Sequence, residues 1–358
     1  MGYTSYSHDV TASYLASHKS SGTDPFVHTS SISSGHSKAE CHELLDPKKL
    51  NKAGVKIRES LDSTEHPSTR AIAVLFDQTG SMGGVPRAFI EKLGGLMALL
   101  VKKGYVQGPQ LMFGAIGDGS GNAEAAPCQI GQFESGNEMD SALTHIYLEG
   151  CGGGQKTESY ELACWFLERF AKMDCLDKRG EKGYLFIIGD ETPYACVKPE
   201  EVSNYLGEKI QAGILFSSRD PRKDAVEQAK ETYGASGDLL SDPQKKFEVF
   251  WIMPGGGASY WNDSYVNDTL RSIFGQRFLK MSDPSSVCEL IAATIGIEEG
   301  YDVSDIMRDL KDAGADSKSV ANTCTALDSY IKTGAVRTVA KVKSGKLTKR
   351  GKDKVVRA

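Results

Sequence analysis

The sequence predicts an α/β fold, a doubly wound, Rossmann-like and mostly parallel sheet with helices on both faces. Three observations predict it. Short apolar runs of strand length recur from Ala71 onward, segments with apolar residues at helical spacing lie between them, and several runs end in an aspartate followed by glycine or hydroxyl residues. Strands apolar on both faces belong to a sheet that helical crossovers cover on both sides. In such a sheet ligands bind beyond the carboxyl ends of the strands, so the residues just after each run are candidates for function.

Residues 1 to about 40 are rich in Ser and Thr, carry His8, His18, His28 and His36, and show no sustained apolar period. They read as a surface-hugging or disordered arm. These histidines have no carboxylates or cysteines at ligand spacing, which argues against a metal tract. A polar connection, "RESLDSTEHPSTR", leads into the first strand, "AIAVLF". The further strand candidates are "QLMFGAI", "YLFII", "ILFSS" and "FEVFWIM", with "RFLKM" as a sixth. Helix candidates between them run from Pro86 to Lys103, Glu138 to Leu148, Glu158 to Lys172, Pro199 to Gln211 and Pro221 to Tyr233. A last pair fits Ser285 to Ile295 and Val303 to Ile331. Met82, Met97, Met112 and Trp251 are expected in the core.

This gives four segments: an arm and connection over 1–67, the α/β domain over 68–296, a helical extension over 297–330 and a basic tail over 331–358. The tail holds ten Lys or Arg against Asp353, a charge of +9. Since the whole chain carries −5, the preceding 330 residues carry −14. The tail reads as a solvated extension, and with so acidic a body nucleic acid is not the expected partner. No run reaches the eighteen apolar residues of a membrane helix, and the polar start lacks the basic and apolar regions of a secretion signal. A cytoplasmic protein without a membrane partner is expected. Eight cysteines without CxxC spacing read as reduced, mostly buried thiols.

After the first strand come Asp77, Thr79 and Ser81, with glycines that let the backbone turn. Asp118 follows the second strand, Thr157 follows a glycine run at the start of a helix, and Asp190 follows the third strand. These are hard oxygen donors without Cys or His, a set suited to Mg²⁺ or Mn²⁺. Taken singly, each Asp or Thr also suits a helix cap.

"DQTGS", followed by Thr157 and Asp190, resembles the metal-ion-dependent adhesion site of the von Willebrand factor type A family, over about residues 68–296. "IRESLDSTEHP" before it resembles intracellular bacterial and phage-encoded chains of that type. The resemblance implies that Asp77, Thr79, Ser81, Thr157 and Asp190 hold a Mg²⁺ or Mn²⁺, with Asp118 outside that set as a neighbour. It further implies a non-enzymatic module that grips an Asp or Glu of a partner protein through the metal. An AAA-type ATPase of the MoxR kind is the partner it suggests. Two alternatives stand beside it. "DQTGS" and "GDGSGNAEA" are also similar to the "DKTGT" and "GDGxND" motifs of haloacid-dehalogenase-like phosphotransferases or phosphatases. In that scheme Asn122 stands where a second acid is needed, and the two motifs lie too close together. The second alternative is a nucleic-acid-associated structural protein using the basic tail.

Overall fold

The structure, a computed structural model, describes residues 5–49, 56–82, 84–150, 156–256 and 260–332, without the side chains of 81, 102, 122 and 242–244. The basic segment from 333 onward lies outside the described residues.

A mixed α/β architecture with a mostly parallel central sheet is observed. Its strands are β1 (Arg70–Asp77), β2 (Pro109–Ile116), β3 (Cys128–Ile130), β4 (Gly183–Ile188), β5 (Phe247–Pro254) and β6 (Phe278–Met281). They are ordered β6-β5-β4-β1-β2-β3, with every pairing parallel except the antiparallel β2–β3 edge. Strand β1 shows why the runs are apolar throughout. Ile72, Val74 and Phe76 enter the core on one face, while Ala71, Ala73 and Leu75 enter the core on the other.

Helices cover those faces. The chain begins with α1 (His8–Ser21) and α2 (Val27–Ser33), followed by α3 (Val85–Met97), α4 (Glu138–Thr144) and α5 (Tyr160–Phe170). Then come α6 (Lys223–Tyr233), α7 (Ser264–Phe274), α8 (Val287–Glu298), α9 (Val303–Asp312) and α10 (Ser317–Lys332). Residues of α3, α8, α9 and α10 share one core with β1, whereas α5 and α7 join the other. Every residue of α8 is buried, because α3, α9 and α10 pack around it. Met82, Met97, Met112 and Trp251 all lie in the core.

Several expected elements are corrected. "ILFSS" adds no strand to the central sheet, since β4 pairs directly with β5. Only Ile214–Leu215 is extended there, antiparallel to Cys196–Val197. The expected helix from Val303 to Ile331 is two helices, because Gly314 adopts φ 98° and turns the chain between them. Likewise the helix from Pro199 stops at Leu206, where Gly207 takes φ 64°. The arm contains two helices, and Phe26 and Leu45 are fully buried in the main core. Among the described residues no helix is long and apolar enough to cross a membrane.

Candidate functional site

Strand order turns back at β1, whose two neighbours are β2 and β4. The crevice at such a reversal is where ligands bind in open parallel sheets. Asp77 ends β1 and Asp190 follows β4 by two residues, so the fold delivers two carboxylates to adjacent strand ends. Both residues are fully buried.

Asp77 is held on both oxygens. Its Oδ1 accepts the Thr79 backbone N–H at 2.7 Å, and its Oδ2 accepts the Tyr160 hydroxyl at 2.6 Å. Burial, and then the charge of Asp190, push the Asp77 carboxyl up to about 7. Tyr160 reaches it from the start of α5, with its ring 4.6 Å from that of Trp251. A side chain at Gly189 would collide with the Tyr160 hydroxyl, so this glycine is required by the close approach. Asp190 accepts the Tyr260 backbone N–H at 3.4 Å through Oδ2.

Thr157 and Glu158 form a short strand parallel to Thr192–Pro193, which brings the Thr157 hydroxyl 3.4 Å from that of Thr192. Thr157 is half-buried, and the structure places it beside the segment carrying Asp190. Asp118 is buried nearby, accepting Ser120 N–H at 2.8 Å and the Tyr194 hydroxyl at 3.0 Å through Oδ1. The Ser81 side chain lies outside the described residues.

Residue-by-residue reading missed the second acidic layer. Glu158 and Glu191 directly follow Thr157 and Asp190, are nearly fully buried and hydrogen-bond to each other. Burial comes first in raising both, and the charge of Asp77 adds to it. Oε2 of each is buried without a partner. The acidic "TE" and "DE" pairs were visible in the sequence, but their burial depends on the short parallel ladder that joins them. Gln78 was also missed. It donates to Glu124 at 2.9 Å and accepts from Gln129, tying the turn after β1 to the segment before the β3 edge.

No family model matches the chain, and no curated protein matches it either. Solved structures do match. The pilus adhesin SpaC of Lactobacillus rhamnosus GG in its open conformation is 11% identical with a TM-score of 0.39, covering 67% of this chain and 31% of that one. Proximal thread matrix protein 1 of the mussel byssus is 11% identical with a TM-score of 0.36, covering 65% and 48%. The pilus adhesin RrgA of Streptococcus pneumoniae is 9% identical with a TM-score of 0.32, covering 65% and 44%. The chain thus spans less than half the length of each.

These findings correct the reading by family resemblance. Assignment to the von Willebrand factor type A family is overturned, since no family model matches the chain. Among the described residues no three His, Cys, Asp or Glu side chains gather so as to hold a metal ion. The description as a metal-dependent adhesion-site module that grips a partner carboxylate, or as an adaptor of a MoxR-type ATPase, falls with it. The phosphotransferase and nucleic-acid alternatives gain no support from any of these matches. Physically, "DQTGS" specifies a tight turn closed by an Asp77–Thr79 hydrogen bond, and that local geometry serves many folds.

Proposed function

We propose that this chain is a non-enzymatic binding protein whose strand-end crevice takes up one hard divalent cation, Mg²⁺ or Mn²⁺, and that its sheet is doubly wound about that crevice. The observation that carries the reading is the pair of fully buried carboxylates, Asp77 and Asp190, at adjacent strand ends, with Asp77 raised by burial and by its neighbour. Two such groups repel each other strongly in a poorly solvated place. The residues fit a hard cation by the chemistry of the donor set: the carboxylates of Asp77 and Asp190 and the hydroxyls of Thr79 and Thr157 are all oxygen. Asp77 and Asp190 would hold the ion, with the hydroxyls of Thr79 and Thr157 beside them. When bound, the ion would supply positive charge that offsets the carboxylate repulsion.

Burial pushes the thiols of Cys128, Cys164, Cys175 and Cys196 up, so none of these four serves as a thiolate nucleophile. Tyr160 is likewise raised well above its ordinary value by burial, and it serves as a donor to Asp77. Calorimetric titration with Mg²⁺ and with Mn²⁺ tests the reading. One site per chain is expected, lost in Asp77→Ala and weakened by roughly 10–100-fold in Thr157→Ala, with circular dichroism unchanged. Equal affinity in wild type and both variants would overturn it.

A further inference from the structure

A second cluster of titratable groups lies where the N-terminal segment docks. The His42 ring lies 4.9 Å from that of His28 in α2 and 4.3 Å from that of His145, the residue just after α4. Hydrogen bonds fix the role of each ring. His28 Nε2 lies 2.9 Å from the Glu40 carbonyl and His145 Nδ1 lies 2.7 Å from the Ser141 carbonyl, so both nitrogens carry a proton and donate. His42 Nδ1 accepts the Leu44 backbone N–H at 3.3 Å, which only an unprotonated Nδ1 can do.

The same segment is pinned at other points. Ser7 and Asn137 exchange hydrogen bonds of 2.9 and 3.0 Å, and Thr11 donates to Asp140 at 2.6 Å. The Thr29 hydroxyl bridges the Ile146 carbonyl and the Leu148 N–H. The Leu45 carbonyl accepts the Ile130 N–H at 2.7 Å, occupying a backbone donor on the edge strand β3.

We propose that the His28–His42–His145 cluster is a pH-operated latch, which holds residues 5–49 over α4 and β3 when His42 is neutral and releases them on acidification. A proton on His42 Nδ1 sets an N–H against the Leu44 N–H and places a cation between two donating imidazoles. The titratable groups facing His42 are His28 from α2, His145 from just after α4 and Glu43 from its own segment. Tyr147 faces His28, with ring centroids 6.2 Å apart. Glu43 alone favours the charged ring, while burial and the two imidazoles oppose it, holding His42 down to about 4. A free histidine titrates near 6.5. A base whose docked pKa is depressed contributes stability that is full above about 6.5 and is lost as pH falls toward about 4. Release uncovers the Ile130 N–H and the seats of Phe26 and Leu45.

Hydrogen-exchange protection factors of the full chain, corrected for intrinsic rates, test the latch. Between about pH 7.5 and about pH 5, the shift taken in full would lower protection of residues 5–49 by about thirtyfold; because the His42 ring is partly exposed and screened by solvent, roughly tenfold is expected, while amides of β1 remain protected. In His42→Phe, which keeps a ring but has no titratable nitrogen, the same change should lower protection less than about threefold. His42→Gln repeats the comparison if the Phe variant does not dock at about pH 7.5. An identical loss in wild type and variant, or undiminished protection in wild type at about pH 5, overturns the latch.

Discussion

Replacing Asp77 with Asn should stabilise the cation-free protein, by an amount that grows as pH rises from about 4, where an unfolded Asp ionises, to about 7, and then levels off. Asn retains an oxygen to accept from Thr79 N–H, and its amide can donate to the Tyr160 oxygen after the hydroxyl rotates, so both contacts survive with one polarity reversed. What disappears is the cost of a buried charge beside Asp190. An unfolded Asp titrates near 3.9, and in the fold Asp77 is raised to about 7. A carboxyl raised by folding holds its proton longer in the native state, so stability is greatest below the unfolded pKa and declines as pH rises through the folded value. The difference of about three pKa units, at about 1.4 kcal/mol each, sets an upper bound of ~4 kcal/mol. Relaxation around a buried charge reduces this, and about 2 kcal/mol is expected. Thermal unfolding followed by circular dichroism in EDTA should show a melting temperature higher by ~4 °C for Asp77→Asn at about pH 8, with little gain at about pH 4. Added Mg²⁺ should raise the wild type and leave the variant unmoved. A variant less stable than wild type at about pH 8, or equally shifted at both pH values, would refute the reasoning.

Tyr160→Phe leaves one oxygen of the buried Asp77 carboxylate without its donor and should cost about 1–3 kcal/mol in urea denaturation. At Gly255 an added Cβ would collide with the Ser282 carbonyl, so Gly255→Ala should destabilise by about 1–3 kcal/mol through spreading of the β5 and β6 ends. By contrast Gly95 lies inside α3 with nothing within 4 Å of an added Cβ, so Gly95→Ala should stabilise by about 0.5–1 kcal/mol in the same assay. Asp283 is held down to about 2, first by its Lys318 hydrogen bond at 2.7 Å, so this pair stabilises above about pH 4 and is lost as pH falls toward 2. Because Lys318 is exposed, Lys318→Met should lower stability only slightly at neutral pH, and equal pH profiles below about 4 would contradict the assignment.

The sheet was legible because its strands bury both faces. "AIAVLF", "YLFII" and "FEVFWIM" carry apolar residues at consecutive positions, and a single sequence shows that directly. "ILFSS" carries the same signal, yet its backbone pairs elsewhere, with Leu215 N–H on the Ser236 carbonyl and Phe216 N–H on the Ala195 carbonyl. Apolar content alone does not choose between those partners. The three-residue edge strand Cys128–Ile130 is too short to show a period, and its register is set by Gly114, where a Cβ would run into the Gln129 carbonyl and Leu75. Helix ends were misjudged where a glycine of positive φ decides them, as at Gly207 and Gly314. At the candidate site, Asp77 and Asp190 were readable as strand-end residues, and Thr79 as part of the turn. Tyr160, Glu158 and Glu191 were not, because their roles come from α5 packing on the sheet and from the Thr157–Thr192 ladder, contacts between residues far apart in sequence. The family resemblance rested on the "DQTGS" turn together with Thr157 and Asp190 in their order along the chain, and no family model matches the chain.

The most direct measurement is anomalous scattering at the manganese edge from crystals of the chain grown with Mn²⁺. The account predicts one peak per chain in the strand-end crevice, about 2.0–2.6 Å from oxygens of both Asp77 and Asp190, and its absence in Asp77→Ala. No peak in that crevice, or a peak elsewhere with Asp77 still bonded only to Thr79 and Tyr160, would contradict it.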